Sequence, residues 1–215
     1  MNNTYKIENL KLSKNKKEVI IIFDHNTPIK VPLDIVYSYR LQKGKTISSE
    51  THSKIQKEAN FFNVLREAYQ KATSSLKSRS QLKRILLNKG YPEDEVDNAI
   101  AKLEERKIID DEKYAFSVLD YLSNKKKYGI NRVRQYLIKK GVSKDIIEGV
   151  ITRTSISENQ NEIIISFYER NISKIRRKSK LQRIPYIIRM FRTAGFLNEN
   201  IKYFLSKYKK QLLEL

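Results

Sequence analysis

Three glycines, Gly90, Gly141 and Gly195, sit inside the same arrangement of apolar residues, and this repetition constrains the fold more than any other feature of the chain. Counting from each glycine, apolar side chains stand eight and four positions before it, one after it, and six and ten after it. The sets are Leu82, Leu86, Tyr91, Val96 and Ile100; then Val133, Leu137, Val142, Ile147 and Ile151; then Ile187, Phe191, Phe196, Ile201 and Leu205. Residues eight and four before the glycine share one helix stripe, and glycine supplies the left-handed conformation that ends a helix. The large residue that follows packs back on that helix. A polar turn (Pro92-Glu93-Asp94, Ser143-Lys144-Asp145, Asn198-Glu199-Asn200) then starts the next one. One such pair cannot bury its own stripe, so a third helix or a neighbouring unit must cover it.

The fold expected is mainly α: tandem three-helix repeats, three units in an elongated curved array, behind a small N-terminal β-hairpin or meander. The boundaries follow as 1–47 for the β region and 48–109, 110–156 and 157–215 for the three units. In the first region Tyr5-Ile7, Leu10-Leu12, Val19-Phe23 and Ile29-Val31 read as strands, separated by turns at 13–17 and 24–28. Asp34 to Leu41 reads as a helix ended by Gly44. From Ser48 to Ser75 the pattern is helical, on a stripe of Ile55, Ala59, Phe62, Leu65, Ala68 and Tyr69. Ser78 and Gln81 form a capping box, and an aspartate at 110–111 caps a helix carrying Tyr114, Val118, Tyr121 and Leu122. The third unit opens near Ser157-Glu158. Pro185 stands ten before Gly195, in register with Ser80 and Asn131, so it is expected in the first turn of its helix, where proline is tolerated.

Lys and Arg number 44 against 24 Asp and Glu, a formal charge of +20. Such a chain is expected to meet polyanions: nucleic acid, a complex that carries it, or acidic protein and lipid surfaces. A lysine-rich proteome is the bland alternative. Distribution favours a docking surface. Residues 125–140 hold Lys125, Lys126, Lys127, Arg132, Arg134, Lys139 and Lys140 with no acid. Residues 170–192 hold Arg170, Lys174, Arg176, Arg177, Lys178, Lys180, Arg183, Arg189 and Arg192, again with none, whereas 91–112 is acidic. Tyr128 and Tyr136 are interleaved, suited either to stacking or to packing. The first unit therefore reads as scaffold and the other two as the working part.

Other chemistries find little support. With no cysteine and only His25 and His52, both read as surface loop residues, neither a metal site nor a catalytic triad is expected. No glycine loop cradles phosphate. Asp110-Asp111 suits a helix cap better than a magnesium site. No cofactor, no enzyme activity, no membrane span and a cytoplasmic location are the expectations.

The stretch from Ile109-Asp110-Asp111-Glu112-Lys113-Tyr114-Ala115 through Gly129-Ile130-Asn131-Arg132-Val133-Arg134-Gln135-Tyr136-Leu137-Ile138-Lys139-Lys140-Gly141-Val142 resembles the signature of RecX regulatory proteins. Leu82–Gly90 is similar to the preceding family motif, with Gln81 where a glutamate is common, and Lys107 stands where the family usually has glycine. The hairpin resembles that of longer members from Gram-positive bacteria. The resemblance implies tandem three-helix units and a non-enzymatic modulator of the RecA recombinase. Such a protein binds RecA filaments on single-stranded DNA and inhibits ATP hydrolysis, filament extension and strand exchange. Docking residues would be Lys125, Lys126, Lys127, Arg132, Arg134, Lys139 and Lys140 in the second unit and Arg176, Arg177, Lys178, Lys180 and Arg183 in the third. The expected partners are the RecA filament and DNA, single-stranded first and double-stranded second, met by a monomer. The alternative is a general single- or double-stranded nucleic-acid-binding helical repeat protein.

Overall fold

The computed structural model describes residues 4–14, 17–25, 27–154, 156 and 158–214. The expected turn residues Asn15, Lys16 and Asn26, and the expected third-unit start at Ser157, lie outside them. The chain divides into two compact units: Met1–Ser75 with Leu82–Ile108, and Leu76–Gln81 with Ile109–Leu215. Among the described residues no helix is long and apolar enough to cross a membrane.

In the first unit β1 (Thr4–Leu12), β2 (Glu18–Phe23), β3 (Ile29–Pro32) and β4 (Thr46–Ser48) form an antiparallel sheet in the order β3-β2-β1-β4. The expected two- or three-stranded meander is therefore a four-stranded sheet. The segment Thr46–Ser48 is too short to show alternation and is held by its pairing with Tyr5. The two expected pieces of β1 are one strand with a register shift between Ile7 and Asn9. The helix α1 (Leu33–Ser38) stops before Gly44. Arg40, at φ 49°, takes the left-handed position, with its N–H on the Tyr37 carbonyl (3.0 Å) and the Leu41 N–H on that of Val36 (2.9 Å).

The long helix α2 (Ser49–Ser74) starts where the hydroxyl of Ser48 accepts the Thr51 N–H. Its first half covers the sheet through Ile55 and Ala59, and its second half packs on α4 (Glu93–Glu105). That change of neighbour rotates the buried stripe: Val64, Ala68 and Ala72 are buried, Phe62 and Leu65 only half-buried, and Tyr69 is exposed. His52 corrects the expectation of a surface loop. It lies one turn inside α2, 8% exposed, stacked on Tyr5 at 4.1 Å with Phe23 edge-on at 4.9 Å.

The remaining helices are α3 (Arg79–Leu87), α5 (Asp111–Leu119), α6 (Ile130–Lys139), α7 (Lys144–Thr152), α8 (Gln160–Arg176), α9 (Lys180–Ala194) and α10 (Asn198–Glu214). Asp110 caps α5 by accepting the Lys113 N–H (2.9 Å), and Ser78 and Gln81 exchange the two bonds of a capping box. A π-helical turn, Asp120–Lys125, follows α5. The wider turn brings Leu119, Leu122 and Ser123 inward and leaves Tyr121, expected in the stripe, 52% exposed.

All three repeat glycines are left-handed, at φ 86°, 78° and 89°. Each closes its helix with the same two bonds. The glycine N–H donates to the carbonyl three residues back (Leu87, Ile138, Arg192), and the next N–H donates to the carbonyl five back (Leu86, Leu137, Phe191). Of the fifteen repeat positions, only Tyr91 and Leu205 are less than fully buried. Pro185 departs from expectation. α9 begins at Lys180 and runs through it, one turn longer at its start than α3 or α6, so the proline lies in the second turn. The bond it omits would have gone to the carbonyl of Leu181, a residue 91% exposed that water can serve.

A repeated joint organises the second unit. Before Gly141, the Lys140 carbonyl accepts from the Ser78 hydroxyl at the start of α3 (2.5 Å). Before Gly195, the Ala194 carbonyl accepts from the Gly129 N–H at the start of α6 (2.9 Å), and the Gly195 carbonyl from Asn131 (3.0 Å). A Cβ on Gly129 would collide with the backbone of Gly195 and Phe196, and one on Gly195 with Arg132. Glycine is thus required there by close approach. α5 to α10 bury one continuous core, from Tyr114 to Leu212.

Candidate cationic groove

The joint at Gly195 sets the start of α6 beside the end of α9, and α8 completes the walls of a groove of about 480 Å³. Its cations are Lys126, Arg132, Arg170, Lys174 and Arg189, its floor includes Tyr128, Phe167, Tyr186 and Met190, and no carboxylate lines it. The π-turn delivers the first of these: Lys126 N–H bonds the Tyr121 carbonyl (2.9 Å), Lys127 turns left-handed at φ 60°, and Tyr128 N–H returns to Leu122 (2.9 Å).

Each cation is held by a neutral group. The Arg132 guanidinium lies 4.7 Å over the Tyr128 ring and donates to the Thr193 carbonyl at 2.9 Å. Arg170 donates to the Lys125 carbonyl (2.6 Å) and Lys174 to the Asn171 side-chain oxygen (3.1 Å). Arg189 sits 5.9 Å from the Tyr186 centroid, and Lys126 5.4 Å from that of Tyr121. None of the five pairs with a carboxylate among the described residues, so their field is uncompensated and available to an anion. Tyr128 also packs against Phe167, with centroids 6.0 Å apart, so its ring serves core and groove together.

The expected docking residues divide. Lys126 and Arg132 enter the groove, and Lys178 lines an adjoining recess with Tyr186 and Arg189. Lys125 contributes its carbonyl and Lys127 its turn. Arg134 is committed elsewhere: both its Nε and Nη2 bond Glu148 at 2.8 Å, and Nη1 reaches Asn131 at 3.3 Å. That hydrogen-bonded pair raises the Arg134 pKa and lowers that of Glu148. Lys139 is exposed at the end of α6, and the Lys140 ammonium lies 5.2 Å from the Tyr136 centroid. Arg176, Arg177 and Lys180 are exposed around the α8–α9 turn, outside the groove. Arg183 is half-buried, its Nη1 in a long contact (3.5 Å) with the Leu212 carbonyl near the end of α10.

Three groove residues, Arg170, Lys174 and Arg189, were absent from the expected set although they lie in the acid-free run. Their signal was spacing: Arg170 and Lys174 stand one turn apart on α8, and Tyr186 and Arg189 share a face of α9. Tyr136, the second interleaved tyrosine, instead hydrogen-bonds Tyr114, whose hydroxyl is pushed up to about 12, first by burial and then by Tyr136. Among the described residues no three His, Cys, Asp or Glu side chains gather where a metal could sit.

Fold and groove together define a mainly helical protein built from three-helix elements, with an N-terminal sheet and a groove lined by five cations. Residues 110–151 match the family described as RecX, second three-helix domain. The Regulatory protein RecX of Clostridium perfringens strain 13 is 27% identical over 89% of this chain and 90% of its own. That of Clostridium tetani is 25% identical over 96% and 97%. A crystal structure of regulatory protein RecX shares the fold, with a TM-score of 0.74 over 92% of this chain and 98% of that one at 22% identity. RecX from Lactobacillus salivarius gives 0.61 over 70% and 97%. The chain is thus similar to RecX regulatory proteins over nearly all of its length and shares their fold.

Proposed function

We propose that the protein is a non-enzymatic regulator that binds RecA recombinase filaments on single-stranded DNA and inhibits their ATP hydrolysis, extension and strand exchange. One observation carries the reading: five cations without a carboxylate partner line one groove, in a chain whose RecX relatives run through nearly all of its length. Uncompensated guanidinium and ammonium groups attract acidic filament surface and DNA phosphate alike, with no covalent chemistry required. The reading takes the chain as a cytoplasmic monomer, with an N-terminal region (1–47) and three helical units at 48–109, 110–156 and 157–215. The test is DNA-dependent ATP hydrolysis by RecA. Inhibition at protein levels well below those that coat the DNA supports the proposal, and inhibition only at coating levels refutes it.

The unpaired cations also favour a second reading, a general nucleic-acid-binding helical protein. It requires tight binding to bare DNA with a steep dependence on salt, and little binding at moderate salt removes it.

A further inference from the structure

We infer that the groove between α6, α8 and α9 is a site for a chain of linked phosphates, recognised through phosphate alone. The inference deepens the function proposed above, since it names the chemistry of the same groove. Three observations carry it. The first is charge: Lys126, Arg132, Arg170, Lys174 and Arg189 line one groove without an acid, so a single phosphate would leave most of the charge unmet, whereas two or more linked phosphates match it. The second is size and order. About 480 Å³ is the scale of a small-ligand site, and Arg132, Arg170 and Lys174 are already tethered to neutral oxygens, which lowers the entropy cost of closing on an anion. The third concerns the aromatic rings. Tyr128 is covered by Arg132, and Tyr186 has Lys178 at 5.1 Å and Arg189 at 5.9 Å. Their faces therefore hold cations in place and are not open platforms for bases.

Binding of this kind is indifferent to sequence. Linked phosphates reach the groove from two sources, a free polyphosphate or the backbone of a nucleic acid, and the test separates them. Calorimetric titrations of the full chain at low salt, without RecA, would use inorganic tripolyphosphate, a short oligothymidylate and an abasic oligomer of the same length. The expected result is one tripolyphosphate per chain, with the two oligomers equal within about twofold. A preference of about tenfold or more for the oligomer with bases would overturn phosphate-only recognition. Tripolyphosphate matching the abasic oligomer identifies a free polyphosphate as sufficient; a much tighter abasic oligomer identifies the backbone. Either upholds the site.

Two charge-matched variants, one within α8 and one at its C-terminal end, locate it. R170Q/K174Q should weaken tripolyphosphate binding by about tenfold or more, with the melting temperature unchanged. R176Q/R177Q, outside the groove, should change it by less than about twofold. Equal losses would show that only net charge matters, and no binding at low salt would remove the site. Because RecA is absent, failure here leaves filament inhibition to its own assay, and failure of inhibition leaves the groove standing.

Discussion

The two compact units spend their basic residues differently. In the first, cations meet acids: Lys30 and Arg66 hold Glu18, Lys54 holds Glu50, Lys71 and Lys89 hold Glu67, and Lys83 bridges Glu93 and Asp97. In the second, the groove cations rest on carbonyls, an amide and rings. Acids thus hold these cations in the first unit, whereas the five groove cations of the second have no carboxylate partner among the described residues. Charge recruited to stability and charge left for binding are distinguished by the partner and not by the residue type.

The glycine caps sharpen the same contrast, and the largest predicted effect lies there. Gly195→Ala adds a collision with Arg132 to left-handed strain and should cost on the order of 3 kcal/mol, measured by urea denaturation. Nothing lies within 4 Å of a Cβ on Gly90, so Gly90→Ala should cost only about 1 kcal/mol. Equal costs would dissolve the joint as a structural element.

Next in size is Arg66→Gln. The Glu18 side chain is 3% exposed and would lose the guanidinium that pairs with it, so the change should cost on the order of 2 kcal/mol. Lys174→Gln, by contrast, removes no carboxylate partner and should alter stability by less than about 0.5 kcal/mol. A loss from Lys174→Gln as large as that from Arg66→Gln would erase the distinction between paired and available charge.

The pH responses should differ in direction. Burial lowers the His52 pKa below its ordinary value of 6.5, so its contribution is full above 6.5 and is lost as pH falls below it through the folded value. His52→Leu should remove that loss, measured by melting between neutral pH and the onset of carboxylate titration. Tyr114 lies in the second unit and holds its proton to about 12 against 10 unfolded, so its contribution is lost as pH rises from 10 towards 12. Ultraviolet titration of Tyr114→Phe should lack the latest-ionising tyrosine. An unchanged titration would place that proton elsewhere.

What could be read in the chain was what local physics determines. The Gly90, Gly141 and Gly195 caps, their apolar positions, the Asp110 cap and the Ser78–Gln81 box each rest on contacts within a few residues. What escaped depends on distant neighbours. Thr46–Ser48 is a strand because β1 offers it an edge, and His52 is buried because the sheet lies beneath α2. Arg134 has the same composition around it as Arg132, yet Glu148, one helix away, claims it. Lys174 and Arg189 come together because α8 packs on α9, and Arg132 joins them because the joint at Gly195 fixes α6 against α9. Lys107 occupies the left-handed region at φ 53° where the resemblance suggested glycine, showing that the turn persists and the side chain bears its strain.

The most direct test of the whole account is inhibition of DNA-dependent ATP hydrolysis by RecA, titrated with the wild type, R170Q/K174Q and R176Q/R177Q. The groove reading predicts that R170Q/K174Q needs roughly tenfold more protein for the same inhibition while R176Q/R177Q stays within about twofold of wild type. Equal inhibition by all three, or equal loss in both variants, would contradict it.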